Sequence, residues 1–137
     1  MRTFYIFNIN KETAILAKDS PYMLFKSLES IYNGNKKDLY MATSLYEQLA
    51  CKIDKDSLNK SILSSFKNNQ HYMFNSNHHS YYNKYLDETC NVVVKNSYII
   101  CNCNNAKLNL LKALGSNNLF ACDFENKDYF WLNEIYC

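Results

Sequence analysis

The sequence predicts one α+β domain in which helices pack on a mixed sheet of about five strands. Three observations predict it: an aromatic and β-branched segment opens the chain, helical periodicity dominates the first half, and strand-like runs follow from Thr89. The chain has 137 residues, of which 47 % are hydrophobic and 20 % charged. That size and composition suit a single globular domain over 1–137. The expected element order is β-α-α-α-β-β-α-β-β.

The first predicted strand covers residues 3–9 and should be central in the sheet. Both of its alternating sets of side chains are apolar. Phe4 and Ile6 belong to one set, and Tyr5 begins the other. A strand that is apolar on both faces is typical of the interior of a sheet, because both faces are then covered.

The first helix is marked at both ends. Ser20 is a favoured N-cap residue, and Pro21 is well tolerated at the first helical position. Apolar residues recur from Leu24 onward at i, i+3, i+4 and i+7. Gly34 suits the left-handed conformation that ends a helix.

Two further helices and a loop are predicted in the middle of the chain. The second helix runs from about residue 36 to residue 51, and the third begins near residue 56, where apolar residues recur every four positions. Residues 68–85 contain all three histidines among many Asn and Tyr. This stretch predicts a loop that leads into a short helix, with the histidines exposed to solvent.

The last third of the chain predicts two hairpins with a helix between them. Residues 89–95 and 97–101 are β-rich runs joined by a tight polar turn, and residues 119–124 and 129–132 repeat the pattern. The helix between the hairpins should end at Gly115.

Composition excludes several functional classes. With only two glycines, the chain cannot contain the glycine-rich motif of a dinucleotide-binding turn or of a phosphate-binding loop. Fifteen basic and thirteen acidic residues give a net charge of +2, which is not the basic footprint of a nucleic-acid-binding protein. No apolar run approaches the roughly 18 residues that a membrane span needs.

The six cysteines are predicted to be free thiols without a metal. The N-terminus lacks the pattern of a secretory signal, so the expected compartment is the reducing cytoplasm. Cys101 and Cys103 are not spaced like a zinc-binding pair. Two residues apart on a strand, they should lie on one sheet face as small hydrophobic side chains. No cofactor is expected.

The last hairpin resembles the C-terminal signature of the sporulation inhibitor of replication (SirA) family. That signature is an Asp-Phe pair followed, after four polar positions, by Tyr-x-Trp-Leu-Asn. The residues that carry it here are Asp123, Phe124, Tyr129, Trp131, Leu132 and Asn133. The aromatic first strand and the pair Leu24-Phe25 in the first helix agree with the same family. Trp131 and Phe124 are expected to be buried, and Asp123 to fix the turn.

The resemblance implies a non-enzymatic inhibitor. Proteins of this family are expected to bind the N-terminal domain of the replication initiator DnaA and to block it sterically as a cell commits to sporulation. The resemblance also implies that partner contacts come from the segment after the first strand and from the second helix. No direct nucleic-acid contact and no membrane contact are expected, and the oligomeric state stays open.

The candidate partner-binding residues are Ala14, Ala17, Tyr46 and Leu49. If the run from Ala14 to Ala17 is exposed, it forms a flat small-residue patch suited to an apolar helix of a partner, with Tyr46 and Leu49 as anchors. The alternative is that the run forms an extra helical turn packed on the sheet.

Two other functions stay open at this point. One is a protein-interaction module with a different partner. The other is a weak nucleic-acid-binding domain that uses the lysines of the third helix and neighbouring aromatic residues. Those residues are Lys52, Lys55, Lys60, Lys67, Phe66, Tyr72 and Phe74. Acidic residues interrupt this set, which is typical of a solvated helix face. No local pattern pairs a Cys with a His for catalysis.

Overall fold

The computed structural model describes residues 2–33, 46–75, 78–104 and 118–132. The helices in these ranges include α1 (Lys11–Ala17), α2 (Pro21–Tyr32) and α3 (Lys55–Phe66). The strands in the same ranges are β1 (Arg2–Asn8), β2 (Tyr72–Asn75), β3 (His78–Asn83), β4 (Glu88–Val94), β5 (Ile99–Cys103), β6 (Leu119–Asp123) and β7 (Asp128–Trp131). Residues 46–49 are also helical.

All seven strands form one antiparallel sheet in the order β2-β3-β4-β5-β1-β6-β7. The α+β class is therefore confirmed, whereas the mixed sheet of about five strands is wrong in strand count and direction. β1 lies inside the sheet as predicted, because Phe4 pairs with Cys101 of β5 and Ile6 pairs with Ala121 of β6. Both predicted hairpins, β4–β5 and β6–β7, are present.

The two additional strands come from residues 68–85, where a loop and a short helix were predicted. His79, Tyr81 and Asn83 of β3 are buried, while His78 and Tyr82 are exposed. The strand thus has the usual period of two, but polar side chains occupy buried positions. A pattern defined by apolar residues alone therefore misses this strand.

Each face of the sheet carries its own hydrophobic core. α3 packs on one face, where the fully buried side chains include Phe4, Ile6, Ile62, Val92 and Ile99. α1 and α2 pack on the other face, whose buried residues include Phe7, Phe25, Phe120, Phe124 and Trp131. The two alternating apolar sets of β1 supply both cores, which explains why this strand is apolar on both sides.

Aromatic rings dominate the core under α2. The Phe124 ring lies 4.6 Å from Tyr32 and 5.8 Å from Phe25 between ring centroids, and the Phe120 ring lies 4.8 Å from Trp131. This packing confirms that Trp131 and Phe124 are buried structural residues.

Helix boundaries agree with the sequence only in part. α2 begins at Pro21 with Ser20 as its N-cap residue, but the Ser20 side chain makes no capping hydrogen bond. The run from Ala14 to Ala17 lies in α1 with Ala17 buried and Leu16 exposed, so the helical turn of the alternative is present but only one side of it is packed. The predicted Gly34 helix end, most of the second helix and the helix ending at Gly115 lie outside the described residues.

The Cys101 and Cys103 thiols are buried as predicted. Cys101 and Cys103 lie on the α3 face together with Cys90, and the Cys90 and Cys101 sulfur atoms are 3.6 Å apart. Hydrogen bonds with the neighbouring thiols and burial raise the pKa of Cys101. A protonated, buried thiol is a poor nucleophile, so these residues act as core side chains.

His79 is buried, contrary to the prediction that the histidines lie in solvent. Asn59 Oδ1 of α3 lies 2.7 Å from Nε2, and the Tyr72 hydroxyl lies 2.6 Å from Nδ1. Since Asn59 Oδ1 can only accept, Nε2–H donates to it and Nδ1 accepts from Tyr72. The neutral ring therefore links α3 to β2, and burial together with the nearby His78 lowers the pKa of His79 to about 4.

We predict that the protein loses stability as the pH falls from about 6.5 towards 4. In that range the unfolded chain binds a proton on His79 that the folded chain does not bind, so the free energy of unfolding falls, by up to about 3 kcal/mol. Urea unfolding at stepped pH should show this slope in the parent chain and in the control His71→Gln, which leaves both His79 and its neighbour His78 in place. In His79→Gln the free energy of unfolding should change less with pH over this range. An equal slope in His79→Gln would show that another group causes the effect.

Candidate protein-interaction surface

A shallow groove of about 320 Å³ separates α1 from α2. Its lining combines the buried residues Ala17 and Leu24 with exposed apolar and small polar residues. Its lining residues are Thr13, Leu16, Ala17, Ser20, Met23, Leu24, Ser27 and Leu49. We call this feature the α1–α2 groove.

Apolar side chains beside the groove extend into solvent. Leu16 of α1 is 80 % exposed, and Met23 of α2 is 62 % exposed. Their sequence neighbours Ile15 and Tyr22 are also largely exposed. Single exposed apolar residues are common on protein surfaces, but a group of them around one depression marks a candidate binding surface.

The α1 wall of the groove is held by hydrogen bonds near Asn10. The Asn10 side chain accepts a hydrogen bond from Thr13 N at 2.8 Å, which caps α1, and Asn10 N donates to the Leu49 carbonyl at 3.0 Å. Thr13 Oγ1 donates to the Gln48 carbonyl at 3.3 Å. Together with the bridge between Ile9 and Ala50, these contacts fix the segment that carries Leu49 beside α1.

The α2 wall is oriented by burial and by charge. Leu24, Phe25 and Leu28 face the sheet, which leaves Met23 on the outer side. Glu29 forms an ion pair with Lys127 of the β6–β7 turn and a second one with Lys26 at 3.3 Å. The hydrogen bond from Lys127 is the main cause that lowers the pKa of Glu29. A charged Glu29 thus ties α2 to the last hairpin.

The structure brings two of the four predicted partner-binding residues into the groove. Ala17 is 7 % exposed at its base, and Leu49 lines it from the 46–49 turn. Ala14 lies one turn earlier in α1 and is half-buried against the same core.

Tyr46 does not line the groove. Its ring centroid lies 5.9 Å from that of Phe7, and its hydroxyl donates to the Ser97 carbonyl. Burial is the main cause that raises the pKa of Tyr46 to about 12, so the phenol stays neutral. The side chain holds the 46–49 turn on the sheet rather than extending towards a partner.

Sequence reasoning missed the α2 side of the surface. Tyr22 and Met23 are apolar but lie outside the stripe that begins at Leu24. Apolar residues on the polar side of an amphipathic helix are a usable signal, because the core does not require them. The exposed Leu16 belongs to the run from Ala14 to Ala17, which the sequence predicts as a candidate patch.

The surface around α3 has only part of the aromatic set expected of a single-strand-binding groove, because Phe74 alone of the three predicted rings is exposed. Phe66 and Tyr72 pack beside the α3 core, with ring centroids 5.8 Å apart, and Lys60 and Lys67 point into solvent. Across the described ranges, no group of three or more His, Cys, Asp or Glu side chains is arranged to hold a metal ion. No helix in the same residues is long and apolar enough to cross a membrane.

Comparison with protein-family models identifies the family of this chain. Residues 2–136 match the family model described as sporulation inhibitor of replication protein SirA. The chain belongs to the SirA family. No protein with a curated description matches the sequence. The family is one of replication inhibitors that act in sporulation, so its members are regulators of replication.

The SirA signature in the last hairpin has a structural role. Asp123 is 1 % exposed and accepts hydrogen bonds from Asn126 N at 3.1 Å and Asn126 Nδ2 at 2.8 Å, which fixes the turn as predicted. It also pairs with Arg2 Nε at 2.9 Å. Phe124 and Trp131 fill the core under α2. The SirA signature therefore supports the α2 wall of the groove from below without lining it.

Proposed function

We propose that this member of the SirA family inhibits the start of replication by binding the N-terminal domain of DnaA through the α1–α2 groove. Occupation of that domain would sterically block its self-association or its recruitment of other replication proteins. The mechanism needs no chemistry on this chain, so we propose no enzymatic activity and no cofactor. Family membership supports the inference that the chain inhibits replication. The exposed apolar surface supports the inference that it does so by binding another protein.

The observation that carries the proposal is the exposure of Leu16 of α1 and Met23 of α2 beside a groove whose buried lining includes Ala17. Apolar anchors around a depression favour an apolar helix or side chain of another protein, because burial of that surface is the main driving force of association. Ala17 allows close approach, since its side chain fills little of the groove. Leu49 extends the apolar wall on the α1 side.

Tyr46 and Ala14 enter the proposal as supporting residues. Tyr46 holds the turn that carries Leu49, through its contact with Phe7 and its hydrogen bond to Ser97. Ala14 packs α1 against the core and so sets the position of Leu16. Loss of either would act through the geometry of the groove.

We predict that Leu16→Ala combined with Met23→Ala weakens binding to the purified DnaA N-terminal domain from the same cell by about 2 kcal/mol, or about thirtyfold. Both side chains are exposed, so their removal should leave the fold intact. Leu63→Ala is the matched control, because Leu63 is an exposed leucine on α3, away from the groove. Isothermal titration calorimetry gives the dissociation constants.

Two outcomes would count against the proposal. Unchanged affinity of the double variant would remove the groove from the binding site. Binding to duplex DNA that weakens steeply with salt, without binding to DnaA, would favour the nucleic-acid alternative. Two single variants test the supporting roles by the same DnaA-binding measurement. Leu49→Ala removes the apolar side chain from the groove, whereas Tyr46→Phe removes only the hydroxyl that helps to position residues 46–49.

A further inference from the structure

β2 is the outermost strand on one side of the sheet, at the opposite end from β7. Among the described residues, no strand pairs with its outer side. Met73 is 72 % exposed and Phe74 is 40 % exposed, so this edge presents apolar side chains as well as backbone groups. The α1–α2 groove lies towards the other end of the sheet, where α2 contacts β7.

The usual protection of an edge strand is absent from this part of the sequence. Between Asn68 and Asn83 the chain has no Asp, Glu, Lys, Arg or Pro. Natural edge strands commonly carry charges, prolines or bulges that prevent pairing with another chain. The other edge strand, β7, begins with Asp128, which pairs with Arg2 at 2.7 Å.

Backbone alternation shows which groups of β2 face outward. Tyr82 N donates to the His71 carbonyl at 3.0 Å, and Tyr72 is in register with Tyr81. In an antiparallel pair, hydrogen-bonded and non-hydrogen-bonded positions alternate. The backbone of Met73 therefore faces β3, and the backbone groups of Tyr72 and Phe74 face the open edge. Tyr72 N already donates to the Asn69 carbonyl. Within the described part of the chain, this leaves the Tyr72 carbonyl and the N–H and carbonyl of Phe74 facing the open edge.

We propose that two copies of this chain associate through antiparallel pairing of their β2 strands about a twofold axis at Met73. In this register each Phe74 N–H donates to the Tyr72 carbonyl of the second copy, so the strand is complementary to itself. The two Met73 side chains lie opposite each other on one sheet face, and each Tyr72 lies opposite the second copy's Phe74 on the other face. Aromatic and apolar cross-strand pairs of this kind stabilise sheets.

A second copy fits this edge better than an unrelated strand. The open donor and acceptor are separated by Met73 alone, which is the spacing that a twofold axis through that residue requires. Because the uncharged window is the same in both copies, no like charges meet. The contact involves only four residues on each side, so the dimer should be weak and depend on protein concentration.

The test is the association state of the full chain, measured by sedimentation equilibrium from micromolar to millimolar concentration. The parent chain should show a monomer–dimer equilibrium. Met73→Lys should raise the dimer dissociation constant about tenfold or more, because it places two like charges opposite each other. An equimolar mixture of Met73→Lys and Met73→Glu should restore association, since opposite charges then meet. Tyr85→Lys is the control, because Tyr85 is 92 % exposed in the β3–β4 turn.

Three results would overturn the proposal: a parent chain that stays monomeric throughout, a dimer that Met73→Lys leaves unchanged, or a charge-swapped mixture that fails to associate. Met73 is largely exposed, and circular dichroism verifies that its variants remain folded. The outcome is independent of DnaA binding, because the readout uses this protein alone.

Discussion

Replacing Phe124 with alanine is expected to lower the free energy of unfolding by about 3–5 kcal/mol. Phe124 follows β6 and is buried, and its ring contacts four other aromatic rings. These belong to Tyr5, Phe7, Phe25 and Tyr32. Truncation would leave a cavity between β1 and α2 that the surrounding rings cannot fill without moving. Urea unfolding, followed by circular dichroism, measures the change.

Phe124→Leu is the matched control for that experiment. It keeps most of the buried volume and removes only the aromatic contacts, so the expected loss is about 1.5 kcal/mol or less. A loss below about 1 kcal/mol for the alanine variant would contradict the central role that we assign to this ring in the α2 core.

Asp123→Ala is expected to lower the free energy of unfolding by about 3 kcal/mol. The carboxylate is buried and receives hydrogen bonds from Asn126 and from Arg2 at 2.8–3.1 Å. Its removal leaves these donors without their acceptor and loosens the β6–β7 turn. Asp128→Ala is the control, because Asp128 pairs with the same Arg2 but its side chain is 49 % exposed. An exposed ion pair of that kind contributes at most about 1 kcal/mol.

The Asp123 contribution should also depend on pH. Burial raises the pKa of this carboxyl, but the hydrogen bonds from Asn126 and the contact with Arg2 outweigh it, so the pKa lies below its ordinary value. The unfolded chain therefore takes up a proton before the folded chain does, and the stabilisation is lost as the pH falls. Urea unfolding at acidic pH should show a smaller difference between the parent chain and Asp123→Ala than at neutral pH. An unchanged difference would show that the charge contributes nothing.

Turn chemistry illustrates what local sequence predicts well. The β3–β4 and β6–β7 turns both begin after an Asx residue whose side chain accepts backbone hydrogen bonds, Asn83 in one and Asp123 in the other. Both end in a residue with positive φ, 50° at Asp87 and 56° at Lys127. The second turn was predicted because apolar runs flank it. The first was missed because the flanking strand β3 buries His79 and Asn83.

The candidate binding surface likewise has one part that the sequence predicts and another part that it does not. The run from Ala14 to Ala17 drew attention to α1 because it is apolar between two other elements. The groove also needs Met23, which lies on α2, and Leu49, which is fixed by the bond from Asn10 N to its carbonyl. These residues are far apart in sequence, so only the packing of α1, α2 and the 46–49 turn brings them together.

Residue patterns alone predict the α+β class, the central aromatic strand, the amphipathic helix α2, both C-terminal hairpins and the resemblance to the SirA family. Each of these rests on residues close together in the chain, where periodicity and turn chemistry act. The seven-strand antiparallel order, the burial of His79 and the position of the groove are visible only in the folded chain. These depend on contacts between distant segments. For example, Asn59 of α3 satisfies the His79 ring and so makes a polar strand fit the core.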